Sequence, residues 1–163
     1  MYWEGLHIKK IKTLLKSAIN DVVDEVRRMQ QENSVPLRNI IIDEDGVGGG
    51  AKDFLRCTGF VNNAKALKKE NYQNLKTQCY YKMSDLINKA QIGIDCNDVN
   101  IKNNIIEELE QVRTKDADKD NKLQIIPKDT IKAILGRSPD YSDAMAMRMY
   151  YEIDGNYGRY YVQ

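Results

Sequence analysis

The sequence predicts a single α/β domain, and three observations carry that expectation. The β-branched run Ile40-Ile41-Ile42 leads into a glycine-rich loop and then a helical stretch through Leu55. Strand, loop and helix in succession form the building unit of α/β proteins. Apolar residues recur at three- and four-residue steps in several further segments, which marks amphipathic helices. A chain of 163 residues, 42% apolar and 30% charged, suits one packed core and argues against wholesale disorder.

Taken in order, residues 3–11 mix apolar and basic side chains and read as one strand. Leu15, Ala18, Ile19, Val22, Val26 and Met29 then follow a helical period for about five turns, ended by Asn33, Ser34 and Pro36. Ile40 to Ile42 lacks alternation, so the strand is expected to be buried on both faces. Phe60-Val61 suggests another short strand. Tyr72, Leu75, Cys79, Met83, Leu86 and Ala90 stripe a second long helix, and Ile101, Ile105, Ile106 and Leu109 a third. Residues 114–126 read as a hairpin turning near residues 118–121, and a short helix follows Pro127. Ser138 is placed to cap the last helix, with Pro139 as its first residue. The Tyr- and Gly-rich residues 150–163 show no clear period.

Composition excludes several classes. Cys57, Cys79 and Cys96 are widely spaced and form no CxxC pair, so zinc knuckles and redox pairs lack support and reduced thiols are expected. No apolar run reaches the roughly 20 residues a membrane span needs, and Met1-Tyr2-Trp3-Glu4 lacks signal-peptide regions. A soluble, intracellular protein is expected. The net charge of +1 gives no global nucleic-acid signature. Locally, Lys65, Lys68, Lys69, Lys76 and Lys82 face Glu70 alone across residues 63–82. A solvated helix face is the simpler reading, and a phosphate-facing patch the alternative.

Two apparent motifs fail on their physics. Residues 46–53 resemble a phosphate-cradling loop, but Ala51 stands where both the Walker and the dinucleotide patterns need glycine. Asp53 also replaces the Walker Ser/Thr, and three acids upstream repel phosphate. Asp116, Asp118 and Asp120 have calcium-loop spacing, but Pro127 occupies the place of the bidentate carboxylate. The single histidine, His7, lacks a nucleophile elbow and reads as a surface or strand-edge residue.

The acids offer a better signal. Asp43 ends an apolar strand, where ligand crevices of α/β sheets lie, and the glycines behind it allow close approach to the backbone. Capping of the next helix by Asp43 or Asp45 is the plainer alternative. Asp140 and Asp143 share one face about a turn apart on the last helix. Asp140 suits the helix dipole, whereas Asp143 beside Ala144 and Met145 faces a core that penalises an unpaired carboxylate. Two acid clusters remote in sequence fit an oxygen-ligand site for Mg²⁺ or Mn²⁺, and metal-assisted hydrolysis is the reaction class best matched.

At these residues the chain resembles a known family. The run IIIDEDGVGGGAKDFL at residues 40–55, followed by SPDYSDAMAM at 138–147, is similar to the C-terminal nuclease domain of tailed-phage terminase large subunits. Asn74, Tyr80-Tyr81 and Leu123-Gln124-Ile125-Ile126-Pro127-Lys128 agree with it. The resemblance implies an RNase H-like α/β fold with a mixed central sheet flanked by helices. It spans residues 1–150 as a nuclease domain, with 151–163 as a C-terminal tail. It implies a two-metal endonuclease that cuts concatemeric phage DNA during packaging in the host cytoplasm. Asp43 and Asp143 match metal ligands, Asp140 and Asp45 are nearby acids, and Lys128 matches a basic position near the site. Lys65, Lys68, Lys69 and Lys76 become candidates for tracking double-stranded DNA. The ATPase domain, the small terminase subunit and the portal are the implied partners.

One departure is expected to matter. The family's first catalytic aspartate lies on an opening strand in a D-x-x-G-like segment, which should precede Tyr2-Trp3-Glu4-Gly5. No acid precedes Glu4, and the ATPase half is absent, so the chain reads as an N-terminally truncated domain whose sheet is exposed and prone to pair with another chain. The competing expectations are a non-catalytic DNA- or portal-binding module and, from residues 46–50, a nucleotide-binding domain.

Overall fold

A computed structural model describes residues 1–15, 17–45, 48–115 and 121–155. The N-terminal segment is a hairpin where a single strand was expected. β1 (Tyr2–Glu4) and β2 (His7–Lys10) pair antiparallel. Gly5 turns the chain between them at φ +58°, a left-handed conformation glycine takes without a Cβ clash. β5 (Gly93–Ile94) adds to β2 in parallel, and exposed His7 lays its ring against Gly93, where a Cβ would not fit.

α1 (Ile19–Glu32) starts later than its apolar period suggests, because Leu15 is 87% exposed and lies outside the helix. The start is set by Asp21, whose carboxylate accepts the Ala18 amide at 2.9 Å. Val23 of α1 packs with Ala51 and Leu55 of α2 (Gly48–Leu55) in a small second core. The helix therefore begins within the glycine run, and Lys52 pairs with Glu44 at 2.7 Å.

β3 (Ile41–Asp43) and β4 (Thr58–Phe60) pair in parallel, with Asp43 opposite Phe60. Ile41 and Ile42 are half-buried, not buried on both faces as expected. The reason is topological. The mixed sheet is hydrogen-bonded as two halves, β1-β2-β5 and β3-β4, so β3 has an unbonded edge.

The main core lies between α3 (Leu75–Asn88) and α6 (Asp140–Asp154). Cys79, Met83, Met145 and Met149 are buried there with Ile8 and Phe60 of the two half-sheets. Each fully buried apolar side chain of this size stabilises the fold by about 1.5–3 kcal/mol. Tyr72 falls before α3, whose start is capped by Asn74 accepting the Thr77 amide at 2.9 Å. α4 (Val99–Gln111) is capped by Asp98. β6 (Thr114–Lys115) and β7 (Gln124–Ile125) form the expected hairpin, while Asp116, Asp118 and Asp120 lie outside the described residues. α5 (Lys128–Leu135) follows Pro127.

α6 runs on through Asp154 with Tyr151 and Ile153 buried, and Gly155 closes it at φ +77°. All three cysteines are free, and burial pushes the Cys79 thiol up to about 12. Among the described residues, no helix is long and apolar enough to cross a membrane.

Candidate functional site

Asp143 sits in the first turn of α6 with its side chain 13% exposed. Three groups meet it. Lys76 of α3 approaches Oδ1 at 2.6 Å, Tyr80 donates its hydroxyl to Oδ1 at 2.7 Å, and Lys128 approaches Oδ2 at 2.5 Å. Burial alone pushes the Asp143 carboxyl up, but Lys76, Lys128 and Tyr80 outweigh it and hold the group below its usual range. Burial and the Asp143 charge push the Tyr80 hydroxyl well above its usual value.

Lys128 occupies the first position of α5, an end where the helix dipole disfavours a cation. Burial lowers its ammonium pKa, yet the net direction is upward, because Asp143 first and then Asp140 and Asp43 favour the charged form. Asp143 touches this ammonium, while Asp140 and Asp43 act on it only through their charge. Asp140 itself is exposed.

Asp43 stands at the end of β3. Its Oδ1 accepts the Asp45 amide and the Asn62 side-chain amide, each at 3.0 Å. Asp45 is exposed, and its Oδ2 accepts both Asn62 amides, backbone at 2.7 Å and side chain at 2.9 Å. Asn62 lies just beyond β4, and its carbonyl in turn accepts the Lys76 amide at 3.2 Å. One residue thus couples the Asp43 loop to the helix that carries Lys76. Sequence reasoning missed it, since an asparagine after a short strand has no distinguishing local pattern.

A second missed residue shapes the other half. Ser138 does not cap α6: Pro139 holds the cap position and has no side chain to offer. The free amide of Ser142 is instead taken by Glu108 of α4 at 2.7 Å, and Glu108 is fully buried. Its other oxygen pairs with Arg137. Ser142 Oγ lies 3.1 Å from the Tyr80 hydroxyl, so Glu108, Ser142 and Tyr80 together fix the turn bearing Asp143.

The expected lysine face divides. Lys76 is 17% exposed and committed to Asp143. Lys65, Lys68 and Lys69 are exposed but precede α3, so they form no helix face. Lys68 and Lys69 both take left-handed backbone angles, φ 55° and 58°. The turn is pinned from beneath by Gln78, 1% exposed, whose side chain bonds the Leu67 amide at 2.8 Å and carbonyl at 3.2 Å.

The donor set can be weighed against a divalent cation. Asp43, Asp140 and Asp143 are hard oxygen donors of the kind Mg²⁺ and Mn²⁺ take, and the Lys128 ammonium already holds positive charge among them. Among the described residues, no three acids, histidines or cysteines are gathered into one ligand shell. The donor types suit such a cation, while in the arrangement described Lys76, Lys128 and Tyr80 occupy the Asp143 oxygens.

The elements define an RNase H-like α/β fold. More narrowly, it is the fold of the nuclease domain of a phage large terminase subunit. The chain superposes on that domain of gp2 from bacterial virus Sf6 with TM-score 0.75 at 21% identity, covering 89% of this chain and 78% of that one. A point mutant of the Sf6 domain with manganese gives TM-score 0.75 at 20% identity, covering 89% and 79%. A mutant with calcium gives 0.72 at 21% identity, covering 89% and 78%. No family model and no curated protein matches the chain.

Proposed function

We propose that this chain is a metal-dependent DNA endonuclease domain of a phage terminase large subunit, cutting concatemeric viral DNA during genome packaging. The observation that carries the proposal is the largely buried Asp143 carboxylate set among Lys76, Lys128 and Tyr80. Support comes from the shared fold with nuclease domains solved with manganese or calcium.

In this reading Asp43 and Asp143 hold Mg²⁺ or Mn²⁺, two ions in a complete site, with Asp140 and Asp45 as further acids. Bound divalent ions supply Lewis acidity toward a phosphodiester and a lowered pKa for water. The chain's own residues do the rest. Asn62 orients Asp43, and Tyr80 with Glu108 orients Asp143. Lys76 and Lys128 would hold the non-bridging phosphate oxygens. Lys65, Lys68 and Lys69 meet the duplex backbone without reading bases. The ATPase domain, the small subunit and the portal are the partners, in the host cytoplasm, and residues 1–150 carry the nuclease function.

A second reading is a non-catalytic DNA- or portal-binding packaging module. It is favoured by the lack of a three-acid ligand group among the described residues. Plasmid nicking with Mn²⁺ separates the two. The nuclease reading expects nicking that Asp43→Ala or Asp143→Ala abolishes, and retained cleavage in both variants would sink it. The binding reading expects salt-dependent DNA affinity with no cutting.

A further inference from the structure

Two adjacent lysines are held in a conformation that their side chains oppose. Lys68 and Lys69 take φ 55° and 58°. In this left-handed region a Cβ crowds the backbone, and glycine or asparagine is the usual occupant. A turn needed only to connect β4 to α3 would carry one of those residues. The conformation is imposed from the core. Gln78 of α3 is 1% exposed. Its side-chain amide pairs with Leu67 as a strand would, accepting the backbone amide at 2.8 Å and donating to the carbonyl at 3.2 Å. The same nitrogen donates to Glu70 Oε2 at 3.1 Å. The Glu70 amide closes the turn on the Leu67 carbonyl at 3.2 Å. One buried side chain thus clamps the lysine pair from both flanks. Strain of this kind, held by its surroundings, gathers where function needs it.

Among the described residues no carboxylate lies within salt-bridge distance of Lys68 or Lys69, whereas Lys52, Lys76, Lys89 and Lys128 are all paired. The Lys68 ammonium is 4.0 Å from the place a Cβ on Gly155 would take. Gly155 closes α6, and Asp143 stands in the first turn of that helix. The lysine turn therefore lies at the far end of α6 from the acid site, about 18 Å away at a rise of roughly 1.5 Å per residue. Duplex DNA covers that distance in about five base pairs. We infer that Gln78 is a positioning residue, which fixes Lys68 and Lys69 as a preformed grip on the phosphate backbone of duplex DNA, roughly five base pairs from the phosphate at Asp143. Ordering the turn during folding removes that cost from binding. The inference rests on the proposed function placing duplex DNA at Asp143, and not on cleavage.

The test is fluorescence anisotropy of a short DNA duplex with the whole chain, in EDTA and across a salt series. Replacing Lys68 and Lys69 with alanine should reduce the slope of log affinity against log salt by about 1.8. Gln78→Met keeps every charge and nearly the same buried volume, yet should reduce the slope by about 0.9–1.8, because the lysines lose their placement. The variant combining all three changes should bind no worse than the lysine variant, since both act through the same contacts. Gln78→Glu keeps the Leu67 amide bonded and should fall between the parent and Gln78→Met, and it serves in place of the methionine variant if that one does not fold. A parental slope in the Gln78 variants, or losses that add in the combined variant, would overturn the inference. An unchanged slope in the lysine variant would also overturn it while leaving the proposed function standing. A parent chain without salt-dependent duplex affinity would sink both. Polyglutamate displacing the duplex at equal charge would make an acidic protein surface the partner and overturn the inference as well.

Discussion

Replacing Glu108 with alanine should lower folding stability by about 3 kcal/mol. The figure follows from what its two oxygens hold. The Ser142 amide loses its only cap, worth about 1 kcal/mol. Arg137 loses a buried charge-assisted partner, worth about 1.5–3 kcal/mol for hydrogen bonds to charged groups. The lower end applies, because the guanidinium is 34% exposed and keeps Asn104 at 3.1 Å. Truncating the buried stem adds roughly 0.8 kcal/mol per methylene. For a chain of this size each kcal/mol moves Tm by about 2–4 °C, so a drop of about 6–12 °C is expected. Glu108→Gln keeps an acceptor for Ser142 and should fall less than half as far. Differential scanning calorimetry of the two variants reads both numbers. A Tm for Glu108→Ala within about 1 °C of the parent would refute the capping account, as would a glutamine variant as damaged as the alanine one.

The lysine contacts predict a pH signature and a salt signature. Asp143 is held below the usual carboxylate range in the folded chain. Its contribution is therefore full above about pH 4, the unfolded value, and is lost as pH falls through the lower folded value. Urea midpoints of the parent and of Asp143→Asn, measured in EDTA, should differ by a constant amount near neutrality and converge below about pH 4. A gap that does not narrow contradicts the pairing. Replacing Lys65, Lys68 and Lys69 together with alanine should reduce the slope of log affinity against log salt for duplex DNA by about 2.7, with Tm unchanged. An unchanged slope removes these lysines from the interface.

The sequence shows elements whose signal is local and hides those whose partners are remote. Ile40 to Ile42 reads as a strand because three β-branched residues stand before a turn. α5 reads from Pro127, α6 from Ser138-Pro139, and α3 and α4 from their apolar periods. The hairpin at Tyr2–Lys10 is lost because Gly5 alone marks its turn, and Leu15 misleads because period says nothing about where a cap forms. Asp43 and Asp143 stand out as acids set against apolar neighbours. Glu108 does not, since it lies among Glu107 and Glu110 and nothing local marks which of the three is buried. Asn62 gains its role only when β3 and β4 pair and bring it over Asp43.

The central claim is that Asp43 and Asp143, distant in sequence, belong to one cation site. Isothermal titration of Mn²⁺ into the parent chain, Asp43→Asn, Asp143→Asn and Glu44→Gln tests it most directly. Glu44 is the control, since it neighbours Asp43 but pairs with Lys52. Each aspartate variant should weaken Mn²⁺ by at least about tenfold, roughly 1.4 kcal/mol, with the Glu44 variant unchanged. Parent-like Mn²⁺ binding in both aspartate variants would contradict the claim.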